Sequence, residues 1–301
     1  MSAKGKKYLT VIAILVVLVP LAFVLLWNFL QGPFAHRLHP FSPDYEQVEL
    51  TSVLARESLN TEDYALLYAQ TGLGPLAIDD LRAMGQAGID QITATQEAFF
   101  HAPGEDVCSP LGVTTGEHRY RDETGRVVPA APMAPLKEGD IIVSLSTHTA
   151  GWTHGHAGLV MDPDRPITLE SVVLGSLSDT MNASHWRSYT TWAVLRPRSD
   201  EGTRHQVVQI ADQHLIGIPY SPVSGVFGDK FQPLDGSHDA QCGYLPWYAW
   251  MAVGVDLDSD GGRVVTPEDL LLSDQIDIVQ IYGMDPAEHP LGFENQAGQK
   301  T

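Results

Sequence analysis

Apolar residues fill the chain from Tyr8 to Leu30, broken only by Thr10, Pro20 and Asn28, and Lys4, Lys6 and Lys7 precede the run. About 20 apolar residues span a bilayer as a helix. A secretory signal core is shorter and ends in a small-x-small site, which Phe29-Leu30-Gln31-Gly32 does not offer. The pattern predicts an uncleaved transmembrane anchor over 8–30. Flanking lysines place residues 1–7 in the cytoplasm and the body outside, periplasmic or on the cell surface. Residues 31–43 read as a linker. Apolar positions such as Ile78, Leu81, Ile89, Ile92 and Phe99 then recur at helical spacing, with Gly72 and Gly74 as a break and Pro75 as a restart, so 44–103 reads as a helical spacer. The main domain follows over 104–285, with a tail over 286–301.

Within the main domain, Ile141 to Leu145 and Trp192 to Arg196 read as strands. His205 to Gly217 and Tyr244 to Val253 have the spacing of helices stopped by glycine, and Thr266-Pro267-Glu268-Asp269 is a helix start. The most informative stretch is Gly151 to Glu170, GWTHGHAGLVMDPDRPITLE. Two strand-like runs flank a turn of aspartate and proline, which is a hairpin pattern. With the turn centred on Pro163, Val160 faces Pro166 and His156 faces Glu170. Cross-strand partners share a face with Cβ atoms about 4.5–5.5 Å apart, so this register sets a carboxylate beside an imidazole, where it fixes the tautomer and raises the basicity.

A histidine held in this way serves a nucleophile or a metal. Cys242 stands where a loop becomes an apolar helix, and a helix N-terminus favours a thiolate. The following Gly243 leaves the sulfur approachable, with its own N–H available for an oxyanion. Cys242, His156 and Glu170 together read as a Cys-His-Glu nucleophilic site. His154 shares a strand face with His156 and, with Tyr220 and Trp247, is a candidate for substrate binding. A metal on His154 and His156 needs a third ligand from Cys242 or Glu170, and His118, His148, His185, His205, His214 and His238 form no ligand pattern. Asp256-x-Asp258-x-Asp260-Gly261 opens like a calcium loop, but its twelfth position is Pro267 rather than glutamate, so it reads as an acidic turn. No metal and no cofactor is expected.

Composition narrows the partners. A formal net charge of −19 over 301 residues excludes a nucleic-acid partner. Two cysteines, Cys108 and Cys242, are too few for a disulfide scaffold. A single bridge between them would silence the thiol, and a loop thiol or a rival nucleophile are the other readings of Cys108.

The runs GDIIVSLSTHTAGWTHGHAGLVMD, Glu170, GIPYSPVSG and QCGYLPWYAWMAVGVDLDSDGG, with VTPEDLL after them, resemble the circularly permuted papain-like, NlpC-type cysteine hydrolases of the YiiX/YebB group. The resemblance covers residues 136 to 275. It implies that Gly139-Asp140 begins the strand before the histidine, that His156 is the base, Glu170 its acidic partner and Cys242 the late nucleophile. Gly243-Tyr244-Leu245-Pro246 departs from the Ser-Glu-Leu-Val that usually follows the cysteine in that family. The expected fold is α+β, permuted papain-like, with a small antiparallel sheet packed on helices behind the transmembrane helix and spacer. The expected activity is hydrolysis of an amide in a peptide or cell-wall peptide, or in another acyl-amide substrate. The alternatives are an acyl-ester thioesterase or acyltransferase on lipid-like substrates, and a non-catalytic binding module on the same fold. Oligomeric state is left open.

Overall fold

The computed structural model describes residues 16–23, 39–110, 115–149, 152–231 and 239–291. Among them the chain forms a mixed α+β fold on two antiparallel sheets, where the sequence pattern had suggested a single small one. The larger sheet contains β3 (Ile141–Ser144), β6 (His156–Asp162), β7 (Ile167–Glu170), β8 (Asp179–Asn182), β9 (Trp192–Pro197) and β10 (Ile276–Tyr282), in the order β10-β9-β3-β6-β7-β8. The smaller contains β1 (Glu105–Pro110), β2 (Thr115–Arg121), β4 (Thr147–Thr149) and β5 (Trp152–Thr153), in the order β1-β2-β4-β5.

The central strands β3 and β9 are buried along their whole length. Their side chains alternate between two cores, as the period of a strand requires. Ile141, Val143 and Leu195 join one core with Val207 and Ala211 of α6 (Glu201–His214), Leu245 and Tyr248 of α7 (Tyr244–Met251) and Leu270 of α8 (Pro267–Leu271). Ile142 and Val194 point the other way, into a core shared with α2 (Thr51–Leu54), α3 (Thr61–Thr71), α4 (Pro75–Ala83) and α5 (Gln86–Phe100). The segment read as a spacer thus covers one face of the sheet. A buried bidentate pair, Arg196 Nε and Nη2 on the two Asp140 carboxylate oxygens at 2.8 Å each, ties β9 to the start of β3.

The N-terminal expectation is corrected. No helix among the described residues is long and apolar enough to cross a membrane. Residues 16–23 (α1) are helical. The rest of the predicted span, 8–15 and 24–30, lies outside the described residues, as do 31–38 of the linker and 292–301 of the tail.

The hairpin register is also corrected. Gly158, not His156, lies opposite Glu170, and the ladder slips between Val160 and Asp162. The turn is centred later than Pro163, with Asp162 facing Ile167, and the one-residue bulge at Met161 takes back one position, so the pairing beyond it stands two positions from the expected one. A slip of one residue would have turned every side chain to the opposite face, whereas a slip of two preserves the face. His156 and Glu170 are consequently diagonal neighbours on one side of the sheet.

Candidate active site

His156 is the first residue of β6 and pairs with Ser144, the last residue of β3. A diagonal pair lies about 7–8 Å apart at the backbone, and the long glutamate side chain closes that distance. Glu170 Oε2 sits 2.7 Å from His156 Nε2. Gly158, between them on the ladder, leaves the space empty. A Cβ there would lie 2.9 Å from Trp186 Cζ2 and 3.1 Å from Glu170 Cγ.

The carboxylate is completely engaged. Its Oε2 also faces His185 Nε2 at 3.3 Å. Its Oε1 accepts from the Thr168 hydroxyl at 2.6 Å and from the Trp186 indole N–H at 3.1 Å. Trp186, on the 3-10 helix Ala183–Ser188, also stacks on the His156 ring. Glu170 is 1% exposed. Burial pushes its pKa up, but hydrogen bonds and charge from His156 and His185 outweigh this and hold it well below the usual carboxylate range. His156 shows the mirror of this balance. Burial pulls its pKa down, hydrogen bonds to Cys242 and Glu170 and the charges of both pull it up, and the result is about 10.

Nε2 is held by Glu170, and Cys242 stands near enough to the same ring to help raise its pKa. Cys242 lies in the turn that leads into α7, where Tyr244 N–H closes on the Gln241 carbonyl at 3.1 Å. The thiol is free, and so is that of Cys108, so the two form no bridge. His156 thus has the Glu170 carboxylate and the Cys242 thiol as its two chemically active neighbours.

The other predicted positions fall differently. The Gly243 N–H is not available to an oxyanion, since it donates to Gln241 Oε1 at 2.8 Å. Gly243 is small because the Val265 carbonyl approaches to within 2.3 Å of where a Cβ would stand. The backbone N–H of Cys242 itself, by contrast, has no acceptor among the described residues. Tyr220 lies near the thiol. Burial and the charge of Cys242 push its phenol up to about 12, so it stays an O–H donor at neutral pH. His154 spends both ring nitrogens locally, on Thr149 Oγ1 (2.9 Å) and on the Gly155 carbonyl (3.0 Å). Trp247 points away into the core, its indole N–H on Asp256 Oδ1 at 2.8 Å. Among the acidic-turn residues, the Lys230 ammonium binds the Asp258 carboxylate and the Gly262 carbonyl. Asp140, one strand length from the site, serves the Arg196 pair.

Thr168, Trp186 and His185 were not anticipated. Thr168 could have been found, because it precedes Glu170 by two residues on one strand and so shares its face. Trp186 and His185 arrive from a short 3-10 segment that carries no periodic pattern. Comparison with family models, with curated proteins and with solved structures finds no match to this chain.

Proposed function

We propose that this chain is a thiol-dependent hydrolase that opens an acyl bond through Cys242, His156 and Glu170. The observation that carries the reading is the placement of one imidazole between a thiol and a buried carboxylate. His156 takes the Cys242 proton at Nδ1, and Glu170 stabilises the imidazolium that forms. The thiolate attacks the acyl carbon. The Cys242 N–H and the Tyr220 phenol are the donors available to the resulting oxyanion. His156 then returns its proton to the leaving group, and a water molecule deprotonated by the same ring hydrolyses the acyl-enzyme. The resemblance to NlpC-type hydrolases supports a peptide amide as substrate, by analogy of motif.

A second substrate class, an acyl ester or thioester with a long apolar chain, has a separate observation in its favour. The loop after Glu170 exposes Val172, Val173, Leu174 and Leu177. This loop is tied to the Tyr220 segment through Leu177–Pro219 and through the Tyr220 N–H on the Ser176 carbonyl at 3.0 Å. Apolar side chains grouped at the surface mark a binding face more often than chance exposure.

The test is the pH-dependence of iodoacetamide alkylation, mapped by peptide, on the intact chain and on His156→Ala. Rapid labelling of Cys242 below the ordinary thiol pKa of about 8.5, lost in His156→Ala, supports the ion pair. Slow labelling with an ordinary profile overturns the hydrolase and leaves a binding module. Paired peptide-amide and acyl-thioester substrates, with Cys242→Ala as control, then separate the two substrate classes.

A further inference from the structure

Strand pairing gathers a second group of chemically potent side chains on the smaller sheet. Cys108 on β1 lies directly opposite His118 on β2. Two residues along the same face of β2, Gly116 pairs with His148 on β4. Because Gly116 has no side chain, Cys108 and His148 meet above it: a Cβ there would lie 2.6 Å from the Cys108 sulfur and 2.8 Å from His148 Nε2. The sulfur and that nitrogen are 3.5 Å apart, and the His118 and His148 rings are 5.5 Å apart. One ligand atom from each of the three residues falls within 4.8 Å of the others.

We propose that Cys108, His118 and His148 bind a zinc ion, with water in the fourth position. Zinc takes thiolate sulfur at about 2.3 Å and imidazole nitrogen at about 2.0–2.1 Å, which at a tetrahedral angle sets sulfur and nitrogen about 3.6 Å apart. The 3.5 Å separation is already that spacing. The orienting group is also present. Asp106 Oδ1 holds His118 Nδ1 at 2.7 Å and leaves Nε2 for the ion, the carboxylate–histidine–metal arrangement that fixes a ligand ring. His148 Nδ1 is buried without a hydrogen-bond partner. Its Nε2, 3.5 Å from the thiol, is the nitrogen that would face the ion. Cys108 is exposed, which gives the ion an entry path and a place for water. An ion here would join β1, β2 and β4 at one point.

Cobalt(II) added to the metal-free full-length chain tests this, with the thiolate-to-cobalt charge-transfer absorption as the readout. One equivalent should produce the band, and one equivalent of zinc should remove it. Cys108→Ser should abolish it, and His118→Ala and His148→Ala should weaken binding strongly. Asp106→Asn should weaken it about 10–100-fold, while Cys242→Ala should leave it intact. Absence of a band in the wild type overturns the site. So does a band that survives Cys108→Ser and disappears in Cys242→Ala, which would place the ion on the other thiol.

Discussion

The rings of His156 and Trp186 lie face to face, centroids 5.0 Å apart and 8° from parallel. The same indole donates its N–H to Glu170 at 3.1 Å. One side chain therefore fixes both the plane of the imidazole and one oxygen of the carboxylate that holds it. An indole face also favours the charged form of the ring above it. Trp186→Phe keeps a face and loses the N–H. Its expected cost is about 1–3 kcal/mol, the penalty for a buried acceptor deprived of a donor, read by urea unfolding. Cys242 alkylation should slow without being abolished.

Gly158→Ala should be more disruptive than its size suggests. The added methyl would meet both Trp186 and Glu170, which are buried. Overpacking of this kind costs about 1–3 kcal/mol. Urea unfolding reads the cost, and alkylation of Cys242 should slow.

Stability should depend on pH with opposite signs at the two ends of the triad. His156 has its pKa raised to about 10 from an ordinary 6.5. The folded chain therefore holds that proton more tightly than the unfolded chain. Its contribution is complete below 6.5 and is lost as pH rises through about 10. Glu170 is lowered from an ordinary 4.5, so its contribution is present above that value and is lost as pH falls below it. Denaturant midpoints across pH should show both limbs, and Glu170→Gln should flatten each of them.

Tyr220→Phe should lower kcat about 10²–10³-fold, the usual cost of one oxyanion donor. KM should change little, because the donor acts on charge that develops only in the transition state. Steady-state kinetics on the substrate identified by the amide and thioester comparison checks this.

Arg196→Met leaves Asp140 buried without its partner, which costs about 3–5 kcal/mol. Arg196→Met combined with Asp140→Leu should recover much of that loss in urea unfolding. Cys242 alkylation should follow stability alone, since the pair lies away from the thiol.

How much of this was legible in the sequence depends on which physical rule governed each part. The shared face of His156 and Glu170 was legible because the parity of a strand survives a two-residue slip. The bulge at Met161 was not, since nothing in Val160-Met161-Asp162 marks an extra residue. Gly243 was expected to offer its N–H to an oxyanion, but that N–H is held by Gln241 and the glycine is required by a carbonyl from Val265, distant in sequence. The membrane span over residues 8–30 was read from hydropathy alone, and no helix among the described residues is long and apolar enough to cross a membrane. The cluster of Cys108, His118 and His148 was invisible because its residues come from three strands, and two of these, β1 and β2, carry too much charge and glycine to look like strands. The sixth strand of the main sheet, β10, returns from the far end of the chain to pair with β9, and no local pattern announces such a partner.

The order of strands has a consequence for how the thiol is born. His156 and Glu170 are 14 residues apart and belong to one hairpin, so their pairing needs only a short loop to close. Cys242 joins them across β8, the 3-10 helix, β9 and α6, a contact of much higher order. Contacts that close long loops form late. A chain emerging from the ribosome would thus form its His156–Glu170 pair first and gain Cys242 beside it only when α7 docks, so that on the proposed reading the nucleophile is completed last.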